Sequence, residues 1–355
     1  MPALTDDSLS PLTFRRTESE SSFLDPRKGF APVRVPFQIR TDPLTGRTCH
    51  FSHFGAVKGQ KLELDTYRDP DVKGFCPFCL DKRDRATPKF MPSVVPEGRL
   101  VRGEAVIIPN LFPYDIYSSV VIMTDEHVVP VEGFSGKILG DSFSLGVDFL
   151  RRVKVLEPSI PYHLMTWNYM PPSGGGLVHP HQQFFATDSP GNQFVDELAA
   201  SHRYFFETKR NYWHDLVDQE AAQGQRYIGS VGRGRGHWLA SFTSLGILGE
   251  AMCVFPDVFS LDGLSDDHVE ELVSGLQRVF RFYEAEGIFS FNASLFIGPA
   301  GQDHFSCHFR IVPRTFLNMR DFAPDLNFFQ AILAEPVCVV LPEDLCRDMR
   351  PFFEK

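Results

Sequence analysis

Hydrophobic positions recur with helical spacing in three stretches of the chain. In the clearest stretch, Ser265 stands where an N-cap belongs, and apolar residues follow at 3.6-residue spacing until Gly287. This pattern predicts a helix between those two residues. A second stripe predicts a helix over about residues 194–213, and a third, over about 137–156, is weaker because glycines interrupt it.

Short segments of strand character lie between the helices and mostly follow one another at hairpin-length gaps. They cover residues 105–108, 119–123, 163–167, 182–186, 247–254, 289–297 and 305–312. Because strands do not alternate strictly with helices, the pattern favours an antiparallel α+β arrangement over a doubly wound sheet. Strand pairs, one helix and a histidine-bearing strand occur around residues 104–186 and again around 246–312, which indicates a duplication.

The same pattern divides the chain into regions. Residues 1–22 are polar and are predicted to be a mobile tail. Residues 23–218 and 238–355 are predicted to be two halves, and the polar, glycine-rich residues 219–237 to connect them. A mobile linker is the preferred interpretation of that connection. A phosphate-contacting loop is the alternative, because its glycine amides and clustered arginines match an anion.

Composition and charge narrow the class of protein. The chain has 355 residues, of which 43% are hydrophobic and 23% charged, as in globular proteins. Its formal net charge of −10 does not favour binding to nucleic acid. Any phosphate group must therefore be bound by donors at a local site. The N-terminus resembles neither a signal nor a transit peptide, and no apolar run reaches the roughly 18 residues of a membrane helix. We therefore expect a soluble cytoplasmic protein without nucleic-acid or membrane partners.

Cys76 and Cys79 are the only two of the seven cysteines that lie close together in the sequence. The scattered positions of the other five exclude a disulfide framework. Two thiolates at this spacing can hold one metal ion. For an isolated pair, redox chemistry or two buried structural thiols are alternatives.

A glycine-rich stretch, residues 174–176, precedes two histidines and a glutamine. If the following segment is extended, His179, His181 and Gln183 point to the same side of a strand. The glycines leave backbone amides uncovered, as a phosphate site requires. For the histidine pair alone, two histidines without a joint role are an equally weighted alternative.

The glycines followed by His-Pro-His-Gln-Gln at 179–183 resemble the active-site signature of the galactose-1-phosphate uridylyltransferase family, a branch of the histidine-triad superfamily. Further segments resemble that family, in order, at residues 40–47, 76–79, 110–113, 125–127, 166–168 and 342–350. The last resembles the C-terminal segment of relatives that act as nucleoside-diphosphate-sugar phosphorylases. The resemblance implies an α+β fold of duplicated histidine-triad-like halves, in which antiparallel sheets pack against helices.

The resemblance also implies a metal centre. Carried over by motif, Cys76, Cys79, His127 and His179 would bind one zinc ion with two sulfur and two nitrogen ligands. Four protein ligands close the coordination shell, so this zinc would be structural and would not activate water. An exposed histidine after a strand is the alternative for His127.

His181 would then be the nucleophile. Its neutral imidazole would attack the α-phosphorus of a nucleoside diphosphate derivative and form a covalent nucleotidyl intermediate, which predicts ping-pong kinetics. Gln183 would donate hydrogen bonds to the phosphate oxygens where charge develops.

Four further residues of the first half are candidates for substrate binding. Asn110 and Asn168 would contact nucleoside or phosphate, with ordinary turn and strand-end asparagines as the alternative. Gly175 and Gly176 would offer their backbone amides, although the family usually has serine at the position of Gly176.

The second half departs from the family pattern, which has a second metal and a His-x-His pair there. Only His308 of that pair is present, so we expect a single metal. Glu197 matches the remaining carboxylate ligand, but a helix-surface glutamate is the preferred interpretation. His304 and His308 are candidates for an acceptor pocket, and Arg310 for a second anion, with packing residues and a solvated charge as the alternatives.

These residues predict a nucleotidyltransferase that acts on a nucleotide or nucleotide-sugar and a phosphate-bearing acceptor. Three versions stay open: uridylyl exchange between a UDP-sugar and a hexose 1-phosphate, phosphorolysis of an ADP-sugar, and adenylyl transfer from adenylylsulfate to phosphate. The arginines expected for sugar-phosphate contact fall on residues 55–58, where only a lysine remains, which weakens the first version. Hydrolysis and a zinc-stabilised nucleotide-binding protein are alternatives from other classes. The resemblance also suggests a homodimer.

Overall fold

The structure is a computed structural model that describes residues 12–52, 63–69, 71, 74–318 and 322–354. The strands within these residues are β1 (Arg15–Asp25), β2 (Ala31–Thr41), β3 (Thr48–Phe51), β4 (Leu100–Arg102), β5 (Ala105–Pro109), β6 (Tyr117–Ile122), β7 (Tyr162–Tyr169), β8 (His181–Thr187), β9 (Tyr227–Ser230), β10 (His237–Ala240), β11 (Ala251–Val254), β12 (Ser290–Ile297), β13 (His308–Arg314), β14 (Phe316–Asn318), β15 (Ala323–Pro324) and β16 (Val337–Cys338). The helices are α1 (Asp65–Arg68), α2 (Leu80–Ala86), α3 (Gly136–Leu156), α4 (Asn192–Thr208), α5 (Tyr212–Gln223), α6 (Asp266–Glu286), α7 (Phe328–Ala331) and α8 (Pro342–Met349).

A ten-stranded sheet organises the molecule, in the order β4-β5-β6-β8-β7-β12-β13-β11-β10-β9. Neighbouring strands in it are antiparallel. Counted outward from the central β7–β12 pair, the two sides have the same strand order, and α3 and α6 make the equivalent connections β6 to β7 and β11 to β12. The duplicated α+β arrangement predicted from the sequence is therefore confirmed.

The connection predicted at residues 219–237 differs from a mobile linker. These residues form the end of α5, the edge strand β9 and the turn into β10, which pairs with β9 and β11. The segment is glycine-rich because the turn needs left-handed backbone, with φ of 60° at Gly232 and 75° at Gly234. The polar composition reflects an edge hairpin.

Part of the predicted polar tail is also a regular element. Residues 1–11 lie outside the described residues, but β1 pairs along its whole length with β2, from Arg15 opposite Thr41 to Asp25 opposite Ala31. Ten of the eleven residues of β1 are exposed, so the strand has no buried face. Without such a face the sequence shows no apolar alternation, which is why the strand was not predicted.

The predicted helices are present, with two differences. α3 is continuous, and Gly146 has a packing role because a β-carbon at that position would overlap the ring of Phe184 in β8. The stripe over residues 194–213 is divided between α4 and α5, because Lys209 is left-handed and the Asn211 side chain caps the new helix through the amide of Trp213.

The helices α3 and α6 cover one face of the sheet. Aromatic rings fill that layer: the Trp167 ring lies 4.8 Å from that of Phe291 and 5.1 Å from that of Phe134. Because side chains alternate along a strand, the neighbours of Trp167, which are Thr166 and Asn168, face the opposite side of the sheet. That open face carries the site described below. None of the helices in the described ranges combines the length and apolar character that crossing a bilayer requires.

Candidate active site and metal centre

Four buried side chains from distant parts of the sequence meet beside the start of β8. Cys76 and Cys79 precede α2, His127 follows β6, and His179 directly precedes β8. The Cys79 sulfur lies 3.4 Å from His127 Nδ1 and 3.8 Å from His179 Nδ1, and the Cys76 sulfur lies 3.6 Å from His179 Nδ1. All four ligand atoms lie within 4.8 Å of one another.

These distances fit a tetrahedral metal ion. Zinc–sulfur bonds of about 2.3 Å and zinc–nitrogen bonds of about 2.0–2.1 Å place sulfur and nitrogen ligands about 3.6 Å apart in a tetrahedron. The observed sulfur–nitrogen distances of 3.4 to 3.8 Å bracket that value. The predicted cluster is therefore present as a group that is able to bind one metal ion.

Two polar contacts hold the β6 end of this cluster. Arg83 of α2 forms an ion pair with Asp125 at 2.8 Å, which ties the cysteine-bearing segment to the loop that carries His127. The Thr124 hydroxyl in the same loop donates to Glu104 at 2.6 Å. The candidate metal ligands are thus supported by polar contacts between the loops that carry them.

The hydrogen bonds of His179 set its tautomer. Its Nε2 lies 2.9 Å from the Thr124 carbonyl oxygen, which only accepts, so Nε2 carries the proton. The lone pair is therefore on Nδ1, which faces the thiols of Cys76 and Cys79. Burial, the largest effect, lowers the pKa of His179 to about 4, which keeps the ring neutral, as metal binding requires.

His181 has the opposite tautomer. Its Nδ1 lies 2.8 Å from the carbonyl oxygen of His179, so Nδ1 donates and the lone pair is on Nε2. The ring packs edge-on against Phe78 with centroids 5.4 Å apart. Burial lowers the pKa of His181, against the opposing effect of that backbone hydrogen bond, and so favours the neutral imidazole. A neutral imidazole held in this tautomer is suited to nucleophilic attack.

The open face of the sheet next to His181 contains a cleft of about 470 Å³. Strand residues Gln183, Thr166, Asn168 and Asn292 line its floor. Its volume falls within the roughly 300–1,000 Å³ typical of small-molecule sites. His181 precedes Gln183 by two residues on the same face of β8, so the candidate nucleophile adjoins a cleft with polar walls.

The glycine-rich segment folds over Asn168. Gly174 is left-handed with φ of 83°. A β-carbon at Gly175 would lie 3.3 Å from the Asn168 carbonyl oxygen, whereas one at Gly176 would meet no atom within 4 Å. Gln183 and Asn168 therefore share the cleft, and Gly175 lies against the backbone of Asn168.

Asn110 takes a different position. Its side-chain oxygen accepts from the amide of Phe112 at 3.0 Å and caps the turn after β5, and the residue does not line the cleft. The same β5–β6 loop instead contributes Tyr114 and Asp115, whose carboxylate accepts from the Thr187 hydroxyl. Sequence reasoning missed these residues, although their closeness to the resembling segment 110–113 was a usable signal.

The second-half candidates His308 and Arg310 lie outside this cleft. His308 Nε2 is 3.1 Å from one oxygen of Glu197, and Arg310 donates to the other at 2.6 Å. The His308 ring stacks on Trp213 with centroids 4.1 Å apart. The interpretation of Glu197 as a surface glutamate is wrong: it is 1% exposed, because α4 turns it inward onto β13.

Charge compensation explains how Glu197 is buried. Burial alone would raise its pKa, but Arg310 and His308 outweigh that effect and lower it to about 2. Arg310 also pairs with Glu250. His304 packs against His202, with ring centroids 4.9 Å apart, outside the cleft.

His308 is the backbone counterpart of His181. His181 lies opposite Ile122 in the β6–β8 ladder, and His308 lies opposite Val254 in the β11–β13 ladder. In both histidines Nδ1 faces the carbonyl oxygen two residues earlier, at 2.8 Å and 3.1 Å.

Ser306 correspondingly takes the place of His179. The Ser306 hydroxyl donates to the Pro256 carbonyl oxygen at 2.7 Å, as His179 Nε2 donates to the Thr124 carbonyl oxygen. The second half therefore keeps the backbone arrangement but has a serine at the position of the candidate metal ligand His179.

The backbone amides of the arginine- and glycine-rich turn before β10 bind a carboxylate of the protein itself. The Glu271 carboxylate accepts backbone N–H groups from Arg233 at 3.0 Å, Arg235 at 2.8 Å and Gly236 at 3.2 Å. Arg226 is buried and pairs with Glu220 at 2.8 Å. The phosphate-loop interpretation is therefore not supported, because a carboxylate of the protein occupies these amides.

Known proteins resemble this chain in sequence and in fold. No family model matches the chain. An uncharacterized protein of Archaeoglobus fulgidus is 29% identical over 321 residues, which is 90% of this chain and 93% of that protein. Fold and site together define an α+β protein with duplicated halves and a candidate metal centre beside the cleft.

Two solved structures show which proteins share this fold. An ADP-glucose phosphorylase from Arabidopsis thaliana with bound ADP-glucose has a TM-score of 0.65 at 18% identity, and the match covers 88% of this chain and 98% of that one. A uridylyltransferase has a TM-score of 0.63 at 18% identity, with 89% and 98% covered. The resemblance inferred from the sequence is thus confirmed at the level of the fold.

Proposed function

We propose that the protein is a nucleotidyltransferase that moves a nucleoside monophosphate from a nucleoside diphosphate-sugar, or a similar anhydride, to a phosphate acceptor through a covalent intermediate on His181. The observation that carries the proposal is the tautomer of His181. Its Nδ1–H is held by the His179 carbonyl oxygen at 2.8 Å, which leaves the Nε2 lone pair for attack on phosphorus.

The reaction takes place in two displacements. Nε2 of His181 attacks the α-phosphorus, the new N–P bond forms, and the P–O bond to the sugar phosphate breaks. An oxygen of the acceptor phosphate then attacks the same phosphorus, and the N–P bond breaks to restore the neutral imidazole. The hydrogen bond from Nδ1 to the carbonyl oxygen stabilises the positive ring of the intermediate.

Phosphate oxygens would be met by neutral donors. Among the described residues that line the cleft there is no lysine or arginine. The side-chain amides of Gln183 and Asn168 and the backbone amides of residues 174–176 supply N–H groups on the phosphate side. Such fixed dipoles stabilise charge where it develops without reorganising during the reaction.

The metal group fits zinc, with Cys76, Cys79, His127 and His179 as its ligands. A bound zinc would anchor these four residues, and because the protein would supply all four ligands it would not bind substrate. It would fix His179, and Pro180 would transmit that constraint to His181 at the start of β8. A cytoplasmic location and a homodimer belong to the same proposal.

The donor base and the acceptor define the versions of this function. The structure that shares the fold and contains ADP-glucose supports an ADP-sugar donor with inorganic phosphate as acceptor. The uridylyltransferase supports a UDP-sugar donor. Transfer of adenylyl from adenylylsulfate is the third version to test.

Intact-mass analysis tests the proposal directly. The protein is incubated with UDP-, ADP- and GDP-sugars and with adenylylsulfate, and the added mass identifies the nucleotide. We expect one adduct in the natural protein, none in His181→Ala, and an unchanged adduct in His202→Ala, an exposed control histidine on α4. An adduct that persists in His181→Ala, or no adduct with any donor, would contradict the proposal.

Product analysis separates transfer from hydrolysis. With phosphate present, a transferase yields a nucleoside diphosphate or an exchanged sugar nucleotide. Release of free nucleoside monophosphate alone would instead assign a hydrolase.

A further inference from the structure

A series of side-chain hydrogen bonds links the second half of the sheet to Asn168, which lines the cleft. Asp325, which is 1% exposed, accepts from Arg314 Nε at 3.0 Å and from its terminal nitrogen at 2.6 Å. Arg314 donates to Asn292 Oδ1 at 2.6 Å, and Asn292 Nδ2 donates to Asn168 Oδ1 at 2.7 Å. The series therefore joins β13, β12 and β7.

The hydrogen-bonding partners determine which way the side-chain amides of Asn292 and Asn168 are oriented. Arg314 has only donors, so the atom of Asn292 that faces it is the carbonyl oxygen. A second contact agrees independently: Asn292 Nδ2 also donates to the backbone oxygen of Ser173 at 2.9 Å, and that oxygen only accepts. The atom of Asn168 that faces Asn292 Nδ2 is therefore its oxygen.

This orientation decides what Asn168 presents to a ligand. With Oδ1 engaged by Asn292, the NH₂ group of Asn168 is the part left for the cleft, where Asn168 is exposed. An NH₂ group attracts a phosphoryl oxygen, whereas a carbonyl oxygen would repel it. A flipped Asn168 amide would therefore weaken the site.

The same contact positions the glycine-rich segment. The Ser173 carbonyl that Asn292 binds directly precedes Gly174, and Ser173 itself folds back through its hydroxyl to the Met170 carbonyl oxygen at 2.7 Å. Asn292 thus contacts both elements that offer N–H groups to phosphate, the Asn168 side chain and the residues leading into 174–176.

Rigid geometry makes Asn292 suited to this task. It lies directly opposite Asn168 in the central β7–β12 ladder. Its other end is held by Arg314, whose guanidinium is locked by a two-point contact with buried Asp325. A group held at both ends by regular strands and a buried ion pair has little freedom to rotate.

We propose that Asn292, Arg314 and Asp325 are positioning residues, which act through Asn168 and Ser173 to keep N–H donors directed at the transferred phosphoryl group. This inference rests on the proposed function. It gives the second half, which lacks a metal set among its described residues, a part in the chemistry of the first.

The decisive variant is Asn292→Asp. An aspartate has nearly the same shape and still accepts from Arg314, but it donates to neither Asn168 nor Ser173. We expect the rate of His181 labelling at saturating donor to fall about 10- to 100-fold, since one or two hydrogen bonds to the reacting group are lost or misdirected. The matched control is Asn327→Asp, which keeps its helix-capping acceptor and should label at the natural rate.

A double-mutant cycle separates positioning from general destabilisation. If Asn292 acts through Asn168, the effect of Asn292→Ala should shrink at least about threefold in an Asn168→Ala background. Effects that simply multiply would overturn the route through Asn168, and a natural labelling rate in folded Asn292→Asp would overturn the proposal as a whole. Thermal unfolding reports the folded fraction, and Asn292→Ser, with the same expected direction, replaces any variant that fails to fold.

Equilibrium binding keeps the two proposals distinguishable. Absence of labelling in the natural protein would remove the proposed function, and calorimetric titration with ADP and UDP would then decide the positioning role. Weaker binding to the uncharged variant Asn292→Ser than to Asn327→Ser supports it, and equal binding refutes it.

Discussion

His181 in the first half and His308 in the second begin equivalent strands, and each directs Nδ1 at the carbonyl oxygen two residues earlier. Their surroundings differ. The candidate metal cluster and the open cleft lie beside His181, and no described residue is hydrogen-bonded to its Nε2. His308 Nε2 faces Glu197 at 3.1 Å, and the ring lies between Trp213 and Phe296 at 4.1 and 4.9 Å.

The comparison shows which part of such a site is inherited with the backbone and which is not. The strand register and the Nδ1–H donor to the local carbonyl oxygen are the same in both halves, because the ladders and that carbonyl set them. Access to phosphorus depends on what faces Nε2, and α4 and α5 close that position in the second half through Glu197 and Trp213. Four predictions test this difference, from the largest expected effect to the smallest.

Removal of each histidine should have opposite consequences. His181→Ala should abolish labelling and lower turnover at least roughly 10³-fold, as when other covalent nucleophiles are removed. His308→Ala should label fully per folded molecule but lose about 3 kcal/mol of unfolding free energy, because it breaks a buried charged contact. Mass spectrometry and denaturant unfolding measure the two effects; loss of labelling in folded His308→Ala would show that the halves are not separable.

We expect the protein to bind metal only in its first half and to be stabilised by it. Elemental analysis should find one zinc per chain, and chelation or Cys79→Ser should lower the unfolding free energy by at least roughly 4 kcal/mol, the value for a ligand at 1,000 times its dissociation constant. Two metal equivalents, or a melting temperature indifferent to chelation, would contradict the assignment.

Acid should act on the second half through Glu197. Its folded pKa, lowered to about 2 from 4.5, means that the carboxylate adds stability above pH 4.5 and loses it as pH falls toward 2. The full contribution is about 3 kcal/mol by the usual conversion. Unfolding measured from pH 7 to pH 3 should show the natural protein and Glu197→Gln converging as pH falls, and parallel curves would refute this linkage.

The smallest effect is expected at Ser306, the position that corresponds to the candidate metal ligand His179. Ser306→Ala removes one buried hydrogen bond to the Pro256 carbonyl oxygen and should cost about 1 kcal/mol, with metal content unchanged. His179→Ala, the matched change in the first half, should abolish metal binding. Equal stability losses in the two variants would argue against a metal at the first position.

Much of the fold was predictable because its signals are local. The periodicity up to Gly287 predicted α6 closely, and repetition of strand order predicted the duplicated sheet. Strand β1 escaped prediction because both its faces are polar. The sequence predicts α3 only weakly because helix propensity penalises Gly146, whereas contact with Phe184 requires a residue without a side chain there.

Most of the site was harder to predict, because its residues come together from distant parts of the sequence. Cys76 and His179 are 103 residues apart in the sequence. From the sequence alone, only the family resemblance predicted that they share one site. Glu197 was misassigned because its compensating partner, Arg310, lies 113 residues away. Asn292 carries no motif at all, and its role depends on a strand register that periodicity does not reveal.

The pairing of β7 with β12 has a consequence for how such a molecule diverges. When two identical subunits build a sheet, every substitution appears twice, and a change that fills one crevice fills both. Here a single polypeptide supplies both sides, so each side is free to mutate alone. The second half could therefore acquire Glu197 and Trp213 beside His308, while the cleft of the first half stayed open. One of two duplicated halves could in this way become a structural support for the other.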